Sequence, residues 1–273
     1  MLQMLVQFSD THVCPPGRSV CGRVDTARLL DDAVAAVQRL PLRPAALLLT
    51  GDLVDDGSPA AYARLRDRLA PLACPLWPLA GNHDDRVALR AAFADIAEVQ
   101  ACAAQPWLQY EARLDGLRVL VLDTLEPDAA HGVLCSERLA WLAQRLVQDR
   151  ETPVLLALHH PPLQTHLPNM DAIALREGAA ELAALVQQHP QVQRVVCGHL
   201  HRSVVQRWAG TLVQSAPSTA HQIALALGTR EGDGWTLEPP GFLVHVWQPG
   251  SPLVTHQASS APHPGPQAWE DPA

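Results

Sequence analysis

The strongest constraint on the fold of this chain is a recurring device, a short continuous apolar run that stops on a Gly, Asp or His. The clearest case is Ala45-Ala46-Leu47-Leu48-Leu49, which runs into Thr50-Gly51-Asp52-Leu53-Val54-Asp55-Asp56-Gly57. An apolar run of this length without alternation reads as a strand buried on both faces, as in sheets covered by helices. An acid just past such a strand lies on the rim where open α/β sheets keep their ligands. Alone, Gly-Asp is a turn dipeptide. The same arrangement recurs at four other strand ends, so the chain reads as α/β with ligating side chains gathered at one edge.

Taken in order, a first strand from about Leu2 to Phe8 ends in Ser9-Asp10-Thr11-His12. Alternate residues of an extended segment share a face, so Asp10 and His12 can hold one metal together. A helix over roughly Asp25 to Leu40 follows, and Ser58-Pro59 opens another that runs to about Leu69 as an N-cap with Pro at the first helical position. The strand Leu76 to Ala80 ends in Gly81-Asn82-His83-Asp84-Asp85, and a helix covers Arg86 to Phe93. Leu108 to Leu114 and Leu117 to Leu122 flank Asp115-Gly116, a hairpin signal that makes the sheet mixed. A helix spans Ser136 to Arg150, the strand Val154 to Leu158 ends in His159-His160-Pro161-Pro162, and a helix runs over Glu177 to Gln188. The strand Val195 to Cys197 then ends in Gly198-His199-Leu200-His201. Short β segments are expected over Ser203 to Trp208, Thr211 to Ser215, Gln222 to Leu227 and Phe242 to Trp247. From Ala258 to Ala273 the chain is rich in Pro, Ser and Ala without periodicity, which sets a loose or partner-ordered tail (258–273) apart from one domain (1–257).

The donor set decides the chemistry. The strand ends carry Asp10 and His12, Asp52, Asn82 and His83, His159 and His160, and His199 and His201. Imidazole, carboxylate and amide oxygen without thiolate suit Zn, Mn, Fe or Co rather than a Cys-rich structural zinc site. One ion needs three or four protein ligands, and this set is large enough for two ions sharing a carboxylate. Two such ions about 3.5 to 4 Å apart lower the pKa of a shared water, make it the attacking hydroxide, and clamp the attacking and leaving oxygens of a displacement at phosphorus. The chemistry is phosphoester hydrolysis.

The ordered motifs Asp-x-His, Gly-Asp-x-x-Asp, Gly-Asn-His-Asp, His-His-Pro-Pro and Gly-His-x-His resemble the calcineurin-like metallophosphoesterase superfamily. The nearest resemblance is to its bacterial branch of glycerophosphodiesterases and class III 3',5'-cyclic nucleotide phosphodiesterases. The resemblance implies a four-layer α-β-β-α sandwich of two mixed sheets, with two divalent or trivalent metal ions at the strand ends. It implies Asp10, His12 and His201 on one ion, Asn82, His159 and His199 on the other, and Asp52 bridging both. His160 then stands behind the ligands. It also implies that His83 stands over the metal pair, where it stabilises the transition state or protonates a leaving alkoxide, and that His221 faces the substrate. It further implies that Asp52 and Asn82 share in catalysis as ligands and that Asn82 also touches substrate.

Protein phosphatases of this superfamily have Arg where this chain has Asp56 in Gly51-Asp52-Leu53-Val54-Asp55-Asp56-Gly57, and the exchange removes a fork for a dianionic monoester. Small phosphodiesters are therefore the expected substrates, with glycerophosphodiesters and 3',5'-cyclic nucleotides both open. A DNA-processing nuclease of the same superfamily and a non-catalytic scaffold are the alternatives. Against the nuclease stand a net charge of -8 and the lack of any basic run, although all 20 basic residues are Arg. Against the scaffold stands a full set of ligand residues. The six cysteines form no Cys-x-x-Cys pair and are expected to be reduced thiols. No signal peptide and no bilayer-spanning run is seen, so a cytoplasmic protein without membrane contact is expected, one that can self-associate as a homo-oligomer.

Overall fold

The computed structural model describes residues 1–267 and 269. In chain order the strands are β1 (Gln3–Phe8), β2 (Ala46–Thr50), β3 (Leu76–Leu79), β4 (Tyr110–Leu114), β5 (Leu117–Val121), β6 (Gly132–Val133), β7 (Val154–Ala157), β8 (Leu175–Glu177), β9 (Val192–Cys197), β10 (Val205–Trp208), β11 (Thr211–Ser215), β12 (Gln222–Ile223), β13 (Trp235–Thr236), β14 (Gly241–Trp247) and β15 (Val254–Ser259). One sheet has five strands in the order β15-β14-β1-β2-β3, and the other six in the order β10-β11-β9-β7-β5-β4. The pairs β12-β13 and β6-β8 are separate small ribbons.

Both sheets are mixed. β1, β2 and β3 run parallel, as do β5, β7, β9 and β11, while β14, β15, β4 and β10 pair antiparallel at the flanks. Parallel neighbours end on the same edge, so the loops that follow Phe8, Thr50, Leu79, Ala157 and Cys197 come out together.

The layering follows from the strand period of two. In the second sheet Val119, Val121, Leu155, Ala157 and Val196 face the first sheet and join its core. Leu120, Leu156 and Val195 point the other way and pack with Leu142, Leu146, Leu182 and Val186. Those four come from the helices Ser136–Gln148 and Ala179–Gln187. On the far side of the first sheet, Leu30, Val34 and Val37 of the helix Thr26–Gln38 and Leu65 and Leu69 of the helix Pro59–Leu69 close the stack. The result is the expected α-β-β-α sandwich. Each Leu buried in these layers contributes roughly 1.5–3 kcal/mol against exposure, which explains why runs such as Ala46–Thr50 are apolar on both faces.

Local signals set the helix starts. Ser58 Oγ accepts from Ala61 N at 3.3 Å with Pro59 at the first position, and Asp85 Oδ1 accepts from Ala88 N at 2.7 Å at the start of the helix Arg86–Ala92.

Three expectations change. The segment Gln222 to Leu227 is strand only over Gln222–Ile223, and beyond it the chain turns toward Gly228, whose N–H meets the carbonyl of His166. The short helices Ala97–Ala101 and Pro168–Ala172 lie in stretches with no periodicity to show them. The stretch expected to be loose from residue 258 begins inside β15, which pairs with β14 from Gly241↔Ser259 to Val246↔Val254. β15 is an edge strand, mostly exposed, so backbone bonds hold it and its sequence lacks an apolar signature. Residues 268 and 270–273 of that tail lie outside the described residues. All six cysteines are free thiols. Among the described residues no helix is long and apolar enough to cross a membrane.

Candidate metal centre

Five residues at the shared rim have left-handed backbones: Asp10 at φ 51°, His12 at 42°, Asp52 at 50°, His199 at 69° and His201 at 50°. Residues other than Gly pay for this region, and such strain persists only where the surroundings enforce it. Here the rim loops are locked to one another. Asp10 N donates to Gly51 O, His12 N to Asp52 O, and His199 N to both oxygens of Asp10 at 3.0 and 3.1 Å. Gly81 is required by close approach, because a Cβ there would fall within 3.0 Å of Asp52 and His159.

Two groups of donors meet at Asp52. On one side His12 Nε2 lies 3.1 Å from His201 Nε2 and 3.8 Å from Asp52 Oδ2, and His201 Nε2 lies 3.5 Å from Asp10 Oδ1. On the other, His159 Nε2 lies 3.4 Å from the same Asp52 oxygen, 3.3 Å from Asn82 Oδ1 and 3.2 Å from His199 Nδ1. The structure thus brings together all seven sequence-selected ligand candidates.

The protonation pattern shows that this constellation fits cations. His159 Nδ1 donates to Thr50 O at 2.8 Å and His201 Nδ1 to His221 O at 2.8 Å, which leaves both Nε2 atoms as lone pairs. These two lone pairs face the Asp52 and Asp10 carboxylates and the Asn82 amide oxygen, which are acceptors as well. A proton or a metal ion must fill such a place. The charges agree. Burial opposes a proton on His159, but Asp52 and Asp10 outweigh it and lift His159 to about 9. Burial alone would raise Asp52, yet His159, His12 and His83 hold it well below its ordinary range. Burial pushes Asp10 up to about 6 and His199 down to about 3, and drives His201 well down. A neutral imidazole is the form that binds metal.

Other residues surround these. His83, exposed, packs its ring edge-on to His12 with centroids 4.7 Å apart, and its Nδ1 meets the Asp55 carbonyl at 3.0 Å, which leaves Nε2 for the cleft. His221 stacks near His201 at 4.6 Å, and its Nδ1 has no hydrogen-bond partner. A ring nitrogen of His221 is also close enough to those of His12 and His201 to share an ion with them. Burial drives His221 down to about 4. His160 turns away, its Nδ1 2.8 Å from Thr124 Oγ1, although its ring remains within metal-sharing reach of His159 and His199.

The centre opens into a cleft of about 310 Å³ whose outer wall is Val20, Cys21, Met170, Ile173 and Ile223. Of these, sequence reading reached only Ile223, in the neighbourhood of His221. Val20, Cys21 and Ile173 carry no local signal of a role. Asp56 is not on the cleft: its carboxylate meets Arg18 Nη1 at 3.1 Å and accepts from Ser58 N at 3.1 Å. Its charge is paired with Arg18 rather than presented to the cleft. A larger cleft of about 740 Å³ lies at the opposite edge of the second sheet, lined by Arg118, Trp141 and Glu151 where β5 and β7 begin.

Comparison with known proteins gives the same picture. A family model described as calcineurin-like phosphoesterase matches residues 4–203. A probable glycerophosphodiester phosphodiesterase of Arcobacter nitrofigilis is 29% identical over 269 residues, 96% of this chain and 95% of that protein. A cAMP/cGMP dual specificity phosphodiesterase of Mycobacterium tuberculosis is 36% identical over 239 residues, 85% of this chain and 73% of that protein. Among solved structures, a dimetal phosphatase from Danio rerio superposes with a TM-score of 0.70 at 15% identity, covering 95% of this chain and 96% of that one, a likeness of fold.

Proposed function

Since the chain belongs to the calcineurin-like phosphoesterase family and is a phosphoric diester hydrolase, we propose that it cleaves small phosphodiesters with a two-metal centre bridged by Asp52. The observation that carries the reading is the gathering of seven ligand-type side chains around Asp52, one oxygen of which lies between His12 and His159. Asp10, His12 and His201 would hold one ion, and Asn82, His159 and His199 the other. Bound there, two ions of Mn, Fe, Zn or Co supply the Lewis acidity that activates water and stabilises charge at phosphorus. The chain's own residues do the rest. The carbonyls of Thr50 and His221 fix the tautomers of His159 and His201. Asp55 O holds the His83 ring so that Nε2 reaches a leaving oxygen, and His221 lines the substrate cleft.

Diester preference rests on the cleft itself: among the described residues it is lined by no Arg, so no guanidinium fork awaits a dianion. The wall of Val20, Met170, Ile173 and Ile223 gives a substituent an apolar face to pack on. That favours a 3',5'-cyclic nucleotide, whose base is flat, over a glycerophosphodiester. The test is a panel of kcat/KM values for 3',5'-cyclic AMP, glycerophosphoethanolamine and a phosphomonoester, each with Mn, Co and Zn. The diesters should lead, cyclic AMP first. A monoester preferred by about tenfold, a difference of about 1.4 kcal/mol, would overturn the substrate class.

A further inference from the structure

Tyr62 lies in the helix Pro59–Leu69 and is fully buried. Its hydroxyl nevertheless sits among polar partners. Tyr62 Oη donates to Asp84 Oδ1 at 2.8 Å and accepts from Asp85 N at 3.1 Å. The other oxygen of Asp84 accepts from Gly81 N at 2.9 Å and from Leu53 N at 3.2 Å. One carboxylate therefore ties together the loop after β2, the loop after β3 and the covering helix. Asn82 and His83 lie between its two attachment points in the second loop. They are tied once more at the centre, where His83 N donates to Asp52 Oδ1 at 2.8 Å.

We infer that the Tyr62 hydroxyl is a positioning group for His83, acting through Asp84 to set where its ring stands over the centre; this rests on the role given to His83 above. The tie at Asp52 fixes the backbone of His83, and the tie at Tyr62 fixes the turn that follows. Without the hydroxyl, Asp84 Oδ1 loses its donor and Asp85 N its acceptor, and the turn keeps its bonds to Gly81 and Leu53 but loses its tie to the covering helix. The metal ligands of the first strand end, of His159 and of the His199 loop do not depend on it. The consequence should be misplacement of His83 relative to the leaving oxygen, and a displacement of about 1 Å can cost about 100-fold in rate.

Tyr62→Phe keeps the ring and removes only the hydroxyl. Its kcat on an alkyl phosphodiester should fall about 10- to 100-fold with KM nearly unchanged and metal content intact. On bis(p-nitrophenyl) phosphate, whose leaving group needs no proton, the fall should be less than about threefold. In the double variant with His83→Ala, Tyr62→Phe should add no further loss on the alkyl ester, because both changes act through one group. Equal losses on both esters, additive with His83→Ala, would mark mere structural damage and overturn the inference, as would full activity on both esters or loss of metal. If His83→Ala itself impairs both esters alike, the reading of His83 fails and the inference goes with it. If His83→Ala is selective for the alkyl ester and Tyr62→Phe is not, the inference alone fails. Should Tyr62→Phe melt below the assay temperature, Asp84→Asn, which removes the charge that receives the hydroxyl proton, is held to the same outcomes.

Discussion

At the scale of single residues, Asp52 is the side chain that both groups of donors share. Its Oδ2 stands 3.4 Å from His159 and 3.8 Å from His12, and its Oδ1 receives the His83 backbone N–H at 2.8 Å. Asn at this position keeps the shape and removes the charge shared by both groups. Changes to residues behind metal ligands cost about 10- to 100-fold, so Asp52→Asn should lower kcat/KM by at least about 100-fold on any ester. Metal analysis should show it losing both ions. His199→Ala, which touches the His159 side only, should retain one. If Asp52→Asn keeps two ions per chain, Asp52 is not the bridge. The chemistry of these residues was legible in sequence because ligand identity and strand-end position are both local properties. Their strained left-handed backbones were not, since nothing in the motif Asp-x-His says that both of its outer residues will have positive φ.

At the scale of elements, the strands that were easiest to read are those buried on both faces, such as β2 and β7, and the hardest was β15, which lies exposed at an edge. β15 matters nonetheless. Arg194 Nη1 of β9 donates to Thr255 Oγ1 of β15 at 2.6 Å, and Thr255 Oγ1 donates to His245 Nδ1 of β14 at 2.8 Å. His245 Nε2 then donates to Gln7 Oε1 of β1 at 3.0 Å, and Gln7 Nε2 to Thr50 Oγ1 of β2 at 2.9 Å. This chain of bonds crosses between the sheets and ends at the residue whose carbonyl orients His159. Every member is paired only while His245 is neutral with its proton on Nε2. Burial, with Arg194 nearby, pushes His245 down to about 3. The unfolded chain takes up that proton near the ordinary value of 6.5, so this part of the stability is present above pH 6.5 and drains away as pH falls toward 3. His245→Gln cannot be protonated. Between pH 7 and pH 5, urea unfolding should show the wild type losing about 2 kcal/mol more than the variant, with the other histidines cancelling in the comparison. An identical loss in both proteins would mean that His245 is not held neutral.

At the scale of the whole molecule, the two sheets are built so that their parallel strands deliver one rim, and every ligand candidate lies on it. Sequence alone placed the motifs at strand ends, and the resemblance they carry implied the sandwich. It did not show which face Asp56 would take, because its pairing with Arg18 spans 38 residues of chain. For the same reason nothing local in sequence points to the partner of the Tyr62 hydroxyl, Asp84, which is 22 residues away. Removing metal should affect the rim and leave the layers in place, since the cores above and below it contain no ligand. The account is tested most directly by counting metal ions per chain in the purified protein, during stepwise chelation and reloading with Mn, while following bis(p-nitrophenyl) phosphate hydrolysis. Two ions per active chain, activity that vanishes on stripping, and recovery only as the second ion returns are the predicted results. Full activity in metal-free protein, or saturation at a single ion, would contradict it.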